Sequence, residues 1–120
     1  MSCKSILIVE DDADIRESLH DVLEVEGYEV FAVANGQEAL DRLKILPTPC
    51  LVLLDLMMPV MNGWEFLEAK QGDLKIAPIP VVIVSAVIDQ AKAKSKAAAG
   101  FIKKPIELNT LLEVVRQYCG

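Results

Sequence analysis

Short runs of Val, Ile and Leu alternate with longer amphipathic segments along this chain, five times over. The runs are Ser5–Val9, Glu29–Val33, Leu51–Leu54, Val81–Val84 and a brief Phe101–Ile102. Four of them are dominated by apolar residues without clean polar alternation, the pattern of strands buried on both faces. Parallel strands need crossovers, and the intervening segments have helical period. Ile15, Leu19, Val22 and Leu23 form one apolar stripe, with Gly27 as a stop beyond it. Ala39, Leu40, Leu43 and Leu46 form a second, closed by Pro47 and Pro49, and Gly63–Gln71 is a third, shorter candidate. Leu108, Leu111, Leu112 and Val115 make the last and clearest stripe, extended by Tyr118 and Cys119. Asp89–Ala99 is Ala- and Lys-rich with a stripe made only of alanines, which predicts a short, weakly packed fourth helix. Together these predict an α/β chain of (βα)5 order: a doubly wound parallel five-stranded sheet with helices on both faces.

The 120 residues fit one domain, and a hydrophobic content of 52% is enough to build a core. Twelve basic against eighteen acidic side chains leave a net charge of −6. That balance argues against direct nucleic-acid binding through bulk electrostatics and against a polybasic membrane patch. No apolar run approaches the roughly 18–20 residues that span a bilayer, so no membrane insertion is expected. The N-terminal apolar run meets acids at once and does not read as a signal peptide. Cys3, Cys50 and Cys119 are odd in number and lack C-x-x-C spacing, which argues against a disulfide scaffold or zinc site. A reducing, cytoplasmic location is the expectation.

In an open α/β sheet, ligands bind outside the carboxyl ends of the strands. The first run ends in Glu10-Asp11-Asp12, the third in Asp55, the fourth in Ser85-Ala86, and the fifth is followed by Lys103-Lys104-Pro105. Singly, these are a helix cap, a turn residue, a hydroxyl turn and a solvated lysine. The expected fold gathers them at one edge, where clustered carboxylates need a counter-charge. Hard oxygen donors suit Mg²⁺, which keeps waters and bridges to phosphoryl groups. A lysine and a hydroxyl opposite would hold the remaining phosphoryl oxygens. The chemistry open to such a set is phosphoryl transfer to a carboxylate. Glu10, Asp11 and Asp55 balance a dication and Lys104, whereas a phosphoryl group of roughly −1.5 to −2 would be unsupported without the metal.

The motifs I-L-I-V-E-D-D, L-V-L-L-D-L-M-M-P-V-M-N-G, V-V-I-V-S-A and F-I-K-K-P, in this order and spacing, resemble the receiver domain of bacterial two-component response regulators across nearly the whole chain. The resemblance implies a flavodoxin-like fold with sheet order 2-1-3-4-5, for which a chemotaxis receiver is itself a standard example. It implies that Asp55 is the phosphoacceptor, Asp11 a direct metal ligand, Glu10 a ligand through water, and the Met57 backbone carbonyl a further ligand. Ser85 and Lys104 would hold phosphoryl oxygens, and Ser85 and Phe101 would form the switch. The metal would be Mg²⁺ or Mn²⁺. Phosphate would come from a phosphohistidine on a sensor histidine kinase or histidine phosphotransfer protein. The output would be a downstream protein target, reached through the surface of the fourth helix, fifth strand and fifth helix. Such a protein is not an enzyme in the ordinary sense, since it promotes only its own phosphorylation and dephosphorylation. Two positions that vary in the family match Met57 and Val87; both are apolar, so slow loss of the phosphoryl group is expected.

One departure stands out: only nineteen positions separate Ser85 from Lys104, fewer than the family usually carries, so the fourth helix is expected to be shortened. Lys92, Lys94 and Lys96 in that stretch read as a solvated face ahead of a docking surface. His20 reads as a surface residue, Trp64 as packing at the start of the third helix, and Met57, Met58 and Met61 as loop packing. A haloacid-dehalogenase-type phosphatase needs an acid where Met57 stands, and a flavodoxin's phosphate loop would be repelled by Glu10–Asp12. The remaining alternative is a non-phosphorylated interaction module on the same fold. With residues 1–120 filled by a single receiver domain, no output domain is expected.

Overall fold

A computed structural model of the chain describes residues 5–45, 49–55, 63–86 and 98–119. In chain order they form β1 (Ser5–Val9), α1 (Ala13–Val25), β2 (Glu29–Val33), α2 (Gly36–Ile45), β3 (Leu51–Asp55), α3 (Gly63–Gln71), β4 (Val81–Ser85), β5 (Gly100–Lys103) and a last helix, here α4 (Leu108–Cys119). The strands make one parallel sheet in the order β2-β1-β3-β4-β5, as expected. The helix expected over Asp89–Ala99 lies largely outside the described residues; Ala98 and Ala99 themselves are not helical.

Side-chain alternation explains why consecutive strand residues are all apolar. Leu7, Val9, Val52, Leu54, Val81 and Ile83 face one core, closed by Ala39 and Leu43 of α2 and Phe66 and Leu67 of α3. Their neighbours Ile6, Ile8, Leu51, Leu53, Val82 and Val84 face the other, closed by Leu19 and Leu23 of α1 and Leu111, Leu112 and Val115 of α4. Each such side chain, removed from water, is worth about 1.5–3 kcal/mol. Two faces are therefore dry, and only the strand ends are left for chemistry.

The helix ends follow local rules. Asp12 caps α1 by accepting from the amides of Asp14 and Ile15 at 2.9 and 3.2 Å. At the other end Gly27, at φ +96°, lets its own amide reach Glu24 O and that of Tyr28 reach Leu23 O, which turns the chain into β2. Asn35 and Glu38 close the start of α2 reciprocally, through Asn35 Oδ1 and Nδ2.

Two expectations need correction. Leu108 is 51% exposed, because it opens the first turn of α4 and faces α1 across a groove instead of entering the core. Finally, Cys50 is disulfide-bonded while Cys119 is free and buried, so the odd cysteine count did not exclude a bond.

Candidate functional site

The sheet register brings the carboxyl ends together. Val9 pairs with Leu54, Asp55 with Val84, and Ser85 with Lys103, so the residues that follow β1 and β5 flank the last residues of β3 and β4. The amide of Glu10 still bonds Val33 O, and that of Lys104 bonds Ser85 O, carrying the ladder to the edge.

Glu10, Asp11 and Asp55 each place one carboxylate oxygen within 4.8 Å of the others. Glu10 and Asp55 are buried, at 2% and 4% exposure, while Asp11 is exposed. Lys104 Nζ lies between the two buried acids, 3.2 and 3.4 Å from the Glu10 oxygens and 3.6 Å from Asp55 Oδ2. Burial, followed by the charge of Asp55, pushes Glu10 up to about 7, against the pull of Lys104 and the Asp12 amide. Three carboxylates thus face one ammonium, a formal deficit of two charges. Oxygen-only donors within 4.8 Å of one another and that deficit both fit a hard divalent cation.

The sequence candidates fall into place unevenly. Glu10, Asp11, Asp55 and Lys104 form one cluster. Ser85 ends the neighbouring strand, buried at 2%. Phe101 sits on β5 opposite Ile83, half-buried against the core of α2 and α3. Trp64 packs on that same core. Asp12 is the N-cap of α1 and is not part of the cluster. His20 lies near Asp21 and Glu24 on the surface of α1. Met57 and Val87 lie outside the described residues. A groove of about 730 Å³ leads away from the cluster, from Lys104 and Ala86 between α1 (Ile15, Leu19, Val22) and the Pro105–Leu111 stretch.

Arg16, on the first turn of α1, is a residue that the sequence does not single out. In the structure its Nη1 donates to Glu10 O at 2.9 Å and Asp11 O at 3.4 Å. Five residues past Asp11, an arginine is an ordinary helix residue, so its spacing alone carries no signal.

The response regulator receiver domain family matches residues 6–116. The chain belongs to that family. The receiver domain is 32% identical over 120 residues to the polar-differentiation response regulator DivK of Brucella anthropi, spanning 98% of this chain and 97% of that protein. It is 36% identical over 118 residues to the transcriptional regulatory protein CrdR of Helicobacter pylori, covering 96% of this chain but only 54% of CrdR. Among solved structures it resembles the chemotaxis response regulator CheY4 of Vibrio cholerae, at 29% identity and a TM-score of 0.88, over 98% of this chain and 99% of that one. These relationships, with the acid cluster intact, favour a phosphoacceptor signalling switch over an interaction module that is never phosphorylated. Among the described residues no helix is long and apolar enough to cross a membrane.

Proposed function

We propose that Asp55 is the phosphoacceptor of this receiver domain. A carboxylate oxygen of Asp55 attacks the phosphorus of a phosphohistidine on a sensor kinase or phosphotransfer protein. The P–N bond breaks, its electron pair stays on the imidazole, and an acyl phosphate forms on Asp55. Asp11 and Asp55 would hold Mg²⁺ or Mn²⁺ directly, Glu10 through a water, and the Met57 carbonyl would complete the protein ligands. The cation supplies charge neutralisation for the acids and for the phosphoryl oxygens. Lys104 pairs with one phosphoryl oxygen and the Ser85 hydroxyl with another. Movement of the Ser85 hydroxyl toward that oxygen, with an inward turn of Phe101, shifts a pre-existing equilibrium of the surface near β5 and α4 and thereby changes protein contacts.

The observation that carries this reading is Lys104 Nζ set between two buried carboxylates, at 3.2 and 3.6 Å, with a third acid in reach. The groove between α1 and α4 ends on that same lysine, and its apolar walls offer the phosphohistidine donor a docking surface beside the site. Met57 and Val87 offer no group to orient a water, which makes the acyl phosphate long-lived; a Met57→Asn, Val87→Glu variant loses it faster. Residues 1–120 act as a single receiver domain in the cytoplasm, promoting only their own phosphorylation and dephosphorylation and signalling to a protein target.

Incubation with Mg²⁺ and a small phosphodonor, followed by intact mass, tests the reading. One phosphoryl adduct is expected on the native chain and none on Asp55→Asn or in the presence of chelator. An adduct that survives Asp55→Asn would sink the assignment.

A further inference from the structure

In an extended strand, successive side chains point to opposite faces and successive carbonyls point in opposite directions. Glu10 and Asp11 follow β1 directly, yet their carboxylates converge on Asp55 within 4.8 Å. The backbone must therefore turn between them, and their two carbonyls must leave the alternating pattern as well. Both carbonyls accept from one nitrogen, Arg16 Nη1, at 2.9 and 3.4 Å.

Arg16 is an odd residue to find there. It sits at the fourth position of α1, where the helix dipole disfavours a cation. Glu10, Asp11, Asp12, Asp14 and Glu17 surround it in sequence, yet no ion pair joins it to a carboxylate among the described residues. A guanidinium amid so many acids that binds carbonyls instead does not itself compete with a cation for the carboxylates of the cluster. Nη1 carries two N–H groups fixed in the guanidinium plane, one for each carbonyl, which an ammonium on a flexible stem holds less firmly.

We propose that Arg16 is the positioning residue of the cation site: by binding the carbonyls of Glu10 and Asp11 it holds the β1–α1 turn in the form that brings both carboxylates to Asp55. The proposal rests on the acid cluster being a cation site, and its test separates the two. Arg16 acts through the backbone, and its own charge works against cation binding. Geometry and electrostatics therefore predict opposite signs on its removal.

The test is the Mg²⁺ dissociation constant of the full chain, measured by calorimetric titration for the native protein, Arg16→Met and Arg16→Lys. Loss of an outer partner of metal ligands typically weakens binding about 10- to 100-fold. Arg16→Met is expected in that range, with Arg16→Lys weakened too although it keeps the charge. In metal-free protein, hydrogen exchange at the Asp12 amide, which donates to Glu10 Oε1 at 3.3 Å, is expected to speed up in both variants. Mg²⁺ binding that is unchanged or tighter in Arg16→Met, beside a native protein that binds normally, overturns the positioning role alone. Should Arg16→Met not fold, Arg16→Lys decides: native affinity there also overturns it. Absence of Mg²⁺ binding by the native chain overturns both the positioning role and the cation site beneath it.

Discussion

Replacing Lys70 with methionine is expected to make the receiver domain more stable. Lys70 lies in the last turn of α3 at 1% exposure, the most buried charged side chain described. Its ammonium donates to Ala77 O at 2.7 Å, and no carboxylate pairs with it among the described residues. Burial pulls its pKa below the ordinary 10.5. Taking an ammonium out of water costs several kcal/mol even after relaxation. Against that stand one charged hydrogen bond, about 1.5–3 kcal/mol, and the C-terminal helix dipole, about 0.3–1 kcal/mol. Methionine matches the stem, loses both gains and removes the penalty, and the half-buried Ala77 carbonyl can turn to water. The expected gain is about 1–2 kcal/mol near neutral pH, with about 3–6 °C in Tm for each kcal/mol in a domain of this size.

The same substitution has a pH signature. Below the folded pKa, Lys70 is protonated in both states and the burial penalty is fully present. Between the folded pKa and 10.5 the unfolded chain binds more protons, so stability rises with pH. Above 10.5 the penalty is gone. The advantage of Lys70→Met must therefore shrink as pH climbs through that window. Urea unfolding followed by circular dichroism, near neutral pH and again near the lysine pKa, measures both effects at constant m. A lower urea midpoint in the methionine variant, or an advantage that does not fall with pH, would refute the reasoning.

Further outcomes follow from single contacts. Asp12→Ala removes the cap of α1 and is expected to cost about 0.5–2 kcal/mol in urea unfolding while Mg²⁺ affinity holds. Asp11→Ala does the reverse: its urea midpoint holds, but calorimetric Mg²⁺ affinity falls by more than the roughly 10- to 100-fold typical of outer partners. Gly27→Ala meets no atom within 4 Å, so its cost is the φ of +96° alone, about 1–2 kcal/mol by the same unfolding assay. Leu108→Ser and Ile106→Ser, on the α1–α4 groove, are expected to slow transfer from a phosphohistidine donor about 10- to 100-fold, the worth of a buried apolar side chain. Phosphorylation by a small phosphodonor, which needs no groove, should proceed at the native rate in both.

What the sequence made legible was placement, and what it hid was pairing. Period-2 alternation inside consecutive apolar runs fixes both dry faces of a parallel sheet, so Asp55, Ser85 and Lys104 had to reach one edge once the strands were found. The bounds of α3 came out as expected because Gly63 and Gln71 flank its apolar turn. Pairing depends on distances between strands that periodicity does not contain. Lys104 is ninety-four residues from Glu10, and nothing local says that it lies closer to Glu10 than to Asp55. Leu108 satisfies the stripe of α4 by spacing, yet it stands in the first turn, where the helix has not closed on the sheet, and it faces a groove instead. Lys70 offered no signal, since a lysine in a short amphipathic helix reads as solvated until the loop carrying Ala77 folds over it. Arg16 was hidden for a related reason: its partners are carbonyls, which every residue has, so only the turn that brings two of them to one nitrogen distinguishes it from any other helix arginine.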